Sequence, residues 1–126
     1  DTAAYVKASA AVRRGSTHDE IVVTLRVAEG FHVNANPASY DYLIATAVSF
    51  DGVDPARVRF PDAKLFKPAF ARRGLSVYEG VVRIVAEVPK GTLRAKQALR
   101  GIVKAQACDD QVCLPPASLP VAARVP

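Results

Sequence analysis

The sequence of 126 residues contains two cysteines, Cys108 and Cys113, separated by Asp109-Asp110-Gln111-Val112. Four intervening residues suit a hairpin loop, which places both cysteines at the closing pair of two antiparallel strands. At a non-hydrogen-bonded antiparallel pair the Cα atoms stand about 4.5 Å apart, inside the range of about 4.4–6.8 Å that a disulfide accepts. A bond between them is geometrically easy. A staple across about six residues constrains the unfolded chain weakly, by about 2 kcal/mol at best. A disulfide that joins the two sheets of an immunoglobulin domain packs against a Trp, and this chain has no Trp. The spacing therefore favours reversible chemistry, in which a partner's thiolate attacks one sulfur and displaces the other.

Strand parity and local charge refine that expectation. Cys108 shares a face with Arg100, Lys104 and Gln106, while Leu99, Val103, Ala105 and Ala107 share the other. An unbroken strand points Cys108 away from the core and leaves its sulfur accessible; a β-bulge just before it would reverse this. Asp109 and Asp110 disfavour a thiolate at Cys108, so a partner must trigger exchange. Zinc is the rival chemistry, since His18 and His32 complete a Cys/His set by count. The histidines lie 14 residues apart and upstream of the cysteines, with His18 in the polar turn Ser16-Thr17-His18-Asp19, so no metal site is expected. Lys and Arg outnumber Asp and Glu by 17 to 12, but the longest basic runs are Arg13-Arg14 and Arg72-Arg73. No aromatic residues interleave with them as a stacking platform requires, so nucleic acid is not an expected partner.

The elements that must position the cysteines are strands. Apolar residues alternate at Val6–Val12, Ile21–Val27, Val82–Val88 and Leu99–Ala107, the period of a half-buried strand. Leu43–Phe50 is rich in β-branched residues and reads as another strand; Phe31–Ala35, Val58–Phe60 and Leu119–Arg124 are shorter candidates. Turn residues fall between them at Gly15, Gly30, Asn36-Pro37, Asp51-Gly52, Gly91 and Pro115-Pro116. Seven to nine short strands in one domain over residues 1–126 predict an all-β, immunoglobulin-like sandwich of two antiparallel sheets. Residues 61–76 show neither period and read as a long connection carrying Phe66 and Phe70. No apolar run approaches the roughly 20 residues that span a bilayer. The start Asp1-Thr2-Ala3-Ala4-Tyr5 has no basic segment leading into an apolar stretch, so no signal peptide is expected there. Both a cytosolic protein and a processed exported one fit that start.

Four segments in order carry a family likeness: Gly30-Phe31-His32-Val33-Asn34-Ala35-Asn36-Pro37, Tyr42-Leu43-Ile44, Tyr78-Glu79-Gly80, and Ala105-Gln106-Ala107-Cys108 through Cys113-Leu114-Pro115-Pro116. Together they resemble the N-terminal periplasmic domain of the DsbD-type thiol:disulfide interchange proteins, over about residues 5–125. The Gln-x-Cys…Cys-x-Pro-Pro segment is the most specific part.

The resemblance implies an immunoglobulin-like sandwich with the cysteine pair at the tip of adjacent strands. It implies that electrons arrive from a thioredoxin-like donor domain of the same membrane-embedded transporter. They then leave to periplasmic disulfide isomerases or cytochrome c maturation oxidoreductases, with no cofactor. A cap loop maps onto residues 62–74, with Phe70 as the lid and Phe66 as second choice. The family's acidic cap residues have no counterpart in Pro68–Gly74, and Asp109 and Asp110 are partial substitutes. His32 and Asn34 stand where the family carries two Tyr; both are expected to face the cysteines, with His32 assisting proton transfer. Cys113 is assigned the first attack, because no Asp directly precedes it and Pro115-Pro116 leaves its strand end poorly paired. The competing expectation is a non-catalytic immunoglobulin-like binding module whose disulfide merely rigidifies a hairpin tip.

Overall fold

β-Branched residues at every second position dictate strands that bury one face, and the computed structural model, which describes residues 1–68 and 73–126, has eleven among them. A short 3-10 turn at Thr2–Ala4 leads into β1 (Val6–Arg13), β2 (His18–Val27), β3 (His32–Asn34), β4 (Ala47–Phe50), β5 (Arg57–Arg59) and β6 (Lys64–Phe66). Then follow β7 (Leu75–Tyr78), β8 (Val81–Pro89), β9 (Ala98–Ala105), β10 (Ala107–Cys108) and β11 (Ala117–Arg124). All pairings between these strands are antiparallel.

One layer is the sheet β1-β2-β8-β5; the rest divides into the ladders β11-β9-β4 and β10-β3-β7-β6. Ile21, Val23 and Leu25 of β2 lie opposite Ala86, Ile84 and Val82 of β8, and all six are buried. They share one apolar core with Leu99, Val103 and Ala105 of β9 and with Leu119 and Val121 of β11. The sandwich expected from the alternation is therefore present. Its second layer is divided because the chain leaves β9 at Gln106 and pairs with a different neighbour in β10.

Two expectations change. Leu43–Phe50 is strand only over Ala47–Phe50, because its first half is held by side chains. Asn34 Nδ2 donates to the Ile44 carbonyl at 2.9 Å and Asn36 Nδ2 to the Thr46 carbonyl at 2.9 Å. The 61–76 connection, by contrast, contains β6 and the start of β7, which pair as Lys64↔Val77, Leu65↔Ser76 and Phe66↔Leu75. Three-residue strands are too short to display a period, and the two Phe obscured it further.

One buried carboxylate braces the molecule. Asp19 is fully buried and accepts from Lys90 Nζ at 2.7 Å, Arg14 Nη1 at 2.9 Å and the Gly15 amide at 3.2 Å. The Lys90 ammonium above all, with Arg14 and Gly15, holds its pKa down at about 2 against an ordinary 3.8. The folded carboxyl is the stronger acid, so its contribution is present above the unfolded value and disappears as pH falls through the folded one. Asp19→Asn is expected to lower Tm at pH 7 by roughly 5–10 °C. Its gap to the parent protein should narrow between about pH 4 and pH 2. Melting curves that stay equally separated across that window would assign the effect to packing instead.

Candidate active site

The Cys-x4-Cys spacing folds into the expected tip. Cys108 and Cys113 form an isolated antiparallel bridge, with Cα atoms 4.0 Å apart and an S–S bond of 2.08 Å. Asp109 closes the turn: its amide donates to the Val112 carbonyl at 2.9 Å, and its Oδ1 accepts from the Gln111 and Val112 amides, each at 2.8 Å. Those two amides, Gln111 first, hold the Asp109 carboxyl below the usual range. Asp110 sits exposed on the tip beside it.

Register explains which way the sulfurs point. Ala107 pairs with Val33 and Cys108 with His32, while Val33 pairs with Tyr78. Ala107, Val33 and Tyr78 belong to the main core. Cys108 and His32 therefore lie on the opposite face of this ladder, with Asn34, Leu75 and Val77. No bulge reverses the parity, and Cys108 does point away from the sandwich interior.

Its sulfur is nevertheless not exposed, which corrects the expected accessibility. Cys108 is only 3% exposed, and the face on which it lies has its own small apolar cluster, Leu75 and Val77 packed with Tyr40, Leu43 and Phe66. Cys113, by contrast, is exposed. A cavity of about 120 Å³ opens beside the bond. His32, Asn34, Tyr42, Leu43 and Val112 are among its lining residues, and Tyr42 and Val112 present exposed apolar surface at its rim.

The cross-strand row through Cys108 continues to an acid. Extending the β3–β7 register by one residue sets Glu79 opposite His32, so Cys108, His32 and Glu79 lie side by side on three neighbouring segments. His32 is 5% exposed, and its ring packs against Phe66 at 4.6 Å between centroids. Burial pushes its pKa below 6.5, against the smaller opposing pull of Glu79 and Asp109. A neutral imidazole at neutral pH follows. Glu79 is itself tied to Lys64 of β6.

The structure thus gathers His32, Asn34, Asp109 and Phe66 around the pair. Asn34 lines the cavity, but its amide is committed to the Ile44 carbonyl. Phe70, the first choice for a lid, falls in 69–72, outside the described residues. Three contributors went unassigned in the sequence. Glu79 was visible only as part of a family segment; Tyr42 likewise. Thr2, fully buried against the base of the hairpin, carried no local signal. Among the described residues, no group of three or more His, Cys, Asp or Glu is placed to hold a metal.

An immunoglobulin-like sandwich with one buried and one exposed cysteine of a disulfide at a hairpin tip fits a class, that of thiol–disulfide exchange domains. Within it, the chain belongs to the family described as thiol:disulfide interchange protein DsbD, N-terminal, whose model matches residues 2–122. Among solved structures it is similar to the DsbD N-terminal domain of Neisseria meningitidis in the reduced form. That match has 16% identity and a TM-score of 0.62, covering 95% of this chain and 84% of the other. It is also similar to the N-terminal periplasmic domain of ScsB from Proteus mirabilis, at 16% identity and a TM-score of 0.56. There it covers 91% of this chain and 44% of the other. At such identities the likeness is one of fold. No curated protein matches the chain.

Proposed function

We propose that residues 1–126 form a periplasmic electron-relay domain. It accepts electrons from a thioredoxin-like donor and uses them to reduce disulfides of partner oxidoreductases, such as disulfide isomerases or cytochrome c maturation proteins. Attachment to a membrane-embedded transporter belongs to the same reading. The observation that carries it is the asymmetry of the bond: Cys113 is open to solvent while Cys108 is covered. A donor thiolate attacks Cys113, the S–S bond breaks, and Cys108 leaves as the thiolate and takes up a proton. The donor's second thiol then resolves the mixed disulfide, so that two electrons and two protons end on the cysteine pair. In the forward step Cys113 attacks the partner and Cys108 resolves. No cofactor enters either half.

His32 is the proton carrier for Cys108, being its cross-strand neighbour and neutral. Asn34 shapes the cavity wall, and Asp109 with Asp110 keeps the tip acidic. Phe66 acts as a lid over His32, on the strand at the edge of the ladder.

Equilibration with a thioredoxin-like dithiol protein, followed by alkylation and mass measurement, tests the reading. The parent chain should exchange fully, with a midpoint well above about −300 mV, the region below which disulfides resist cellular reductants. Phe66→Ala should accelerate reaction with a bulky protein thiol by about threefold to tenfold while leaving a small thiol little changed, because it removes a steric cover. A bond that no dithiol protein opens would leave only the rigid binding module.

A further inference from the structure

We propose that Thr2 and Gln106 form a clasp that holds the two arms of the cysteine hairpin together whether or not the sulfurs are bonded, and so sets how readily the disulfide re-forms. The proposal rests on the exchange reading above and adds two positioning residues to it.

The backbone ladder of this hairpin ends just below the cysteines. Below the cysteines the Leu114 amide donates to the Ala107 carbonyl at 2.8 Å. The next two residues on that arm are Pro115 and Pro116, which have no N–H to extend the ladder. Side chains supply the missing bonds. The Ala107 amide donates to Thr2 Oγ1 at 2.9 Å, and the same hydroxyl donates to the Pro115 carbonyl at 2.8 Å. The Thr2 amide also reaches the Pro115 carbonyl, at 3.2 Å. From the other arm Gln106 Nε2 donates to the Leu114 carbonyl at 3.2 Å. One hydroxyl thus touches both arms at once, immediately beneath the sulfurs.

Thr2 is well placed to resist splaying. It is fully buried, and its turn runs directly into β1, whose first residue Val6 is 1% exposed. The bond between the buried Ala107 amide and the Thr2 hydroxyl persists because breaking it leaves that amide unpaired and out of reach of water. When the S–S bond opens, the clasp keeps the two thiols opposed, so closing them again costs less ordering of the chain. The clasp therefore favours the disulfide over the dithiol.

The test is redox equilibrium of the intact chain with glutathione. Closing the Cys108–Cys113 dithiol gives two electrons and two protons to glutathione disulfide, which becomes two glutathione thiols. Thr2→Val keeps the shape and removes the hydroxyl; it should lower the equilibrium constant for closure about tenfold, a midpoint about 30 mV more positive. Thr2→Ser should stay within about twofold of the parent, since the hydroxyl remains. Gln106→Leu should move the constant in the same direction by a smaller factor, and it carries the test should Thr2→Val not fold. Melting in both redox states closes the cycle, with the larger loss of Tm expected in the oxidised form, because the reduced variant regains the freedom to splay. An unchanged constant with equal losses of Tm in the two states would overturn the clasp while leaving the exchange reading intact. A parent chain that never equilibrates with glutathione would bring down both, and that outcome is distinct from the first.

Discussion

Cys113→Ser is expected to abolish exchange, by about a thousandfold or more, because a cysteine pair acts as a unit and loses nearly all function with either member. Cys108→Ser should fail differently. Its Cys113 remains exposed and still attacks a partner's disulfide, but nothing resolves the product. A stable covalent adduct with the partner is therefore expected, visible as a band of summed mass that disappears on reduction. The reverse variant has only Cys108, 3% exposed at the wall of the cavity it shares with Leu43 and Leu75, and should form little adduct with any folded protein. Trapping through Cys108 rather than Cys113 would invert the assignment of attacking and resolving sulfurs.

The second large effect is expected at His32. Before a resolving thiol can attack, it must lose its proton, and Cys108 is cut off from bulk water. The imidazole across the strand pair is a base that lines the same cavity. Burial keeps that ring below its ordinary 6.5, outweighing Glu79 and Asp109, so it is unprotonated and able to accept at neutral pH. Positioned proton transfer contributes about 10²–10⁴-fold, and His32→Phe should slow resolution by about a hundredfold, at the low end of that range. The pH profile gives the sign: in the parent chain the resolving rate should fall as acid protonates His32, below 6.5, and that limb should vanish in the variant. The same depressed value means that acid costs the fold stability, because the unfolded histidine binds its proton more readily. Quenched-flow rates for reduction of a mixed disulfide supply the check. Equal rates for parent and variant across pH 5–8 would remove His32 from the mechanism.

The sandwich was legible because its long strands repeat the same choice many times. β1, β2, β8 and β9 each span at least eight residues, enough for alternation to stand out from noise. β3, β6 and β10 have three residues or fewer, and yet they carry the site. Their identity comes from pairing partners far along the chain, which periodicity does not encode.

The direction of Cys108 followed correctly from parity, whereas its burial did not. Parity reports which face a residue takes; the cover on the second face comes from Tyr40 and Leu43, in a loop that Asn34 and Asn36 tether through backbone carbonyls. The cysteine hairpin itself was the easiest feature to foresee, since six consecutive residues contain all of its geometry. Its support at Thr2 lies 105 residues away in sequence, beyond any local pattern.

The unequal exposure of the two cysteines has a consequence for traffic. If electrons enter and leave through this pair, the molecule has a single doorway, and upstream and downstream proteins must queue at Cys113. Neither can be joined while the other is attached, so loading and unloading alternate, and an excess of either visitor slows the whole circuit by blocking the threshold.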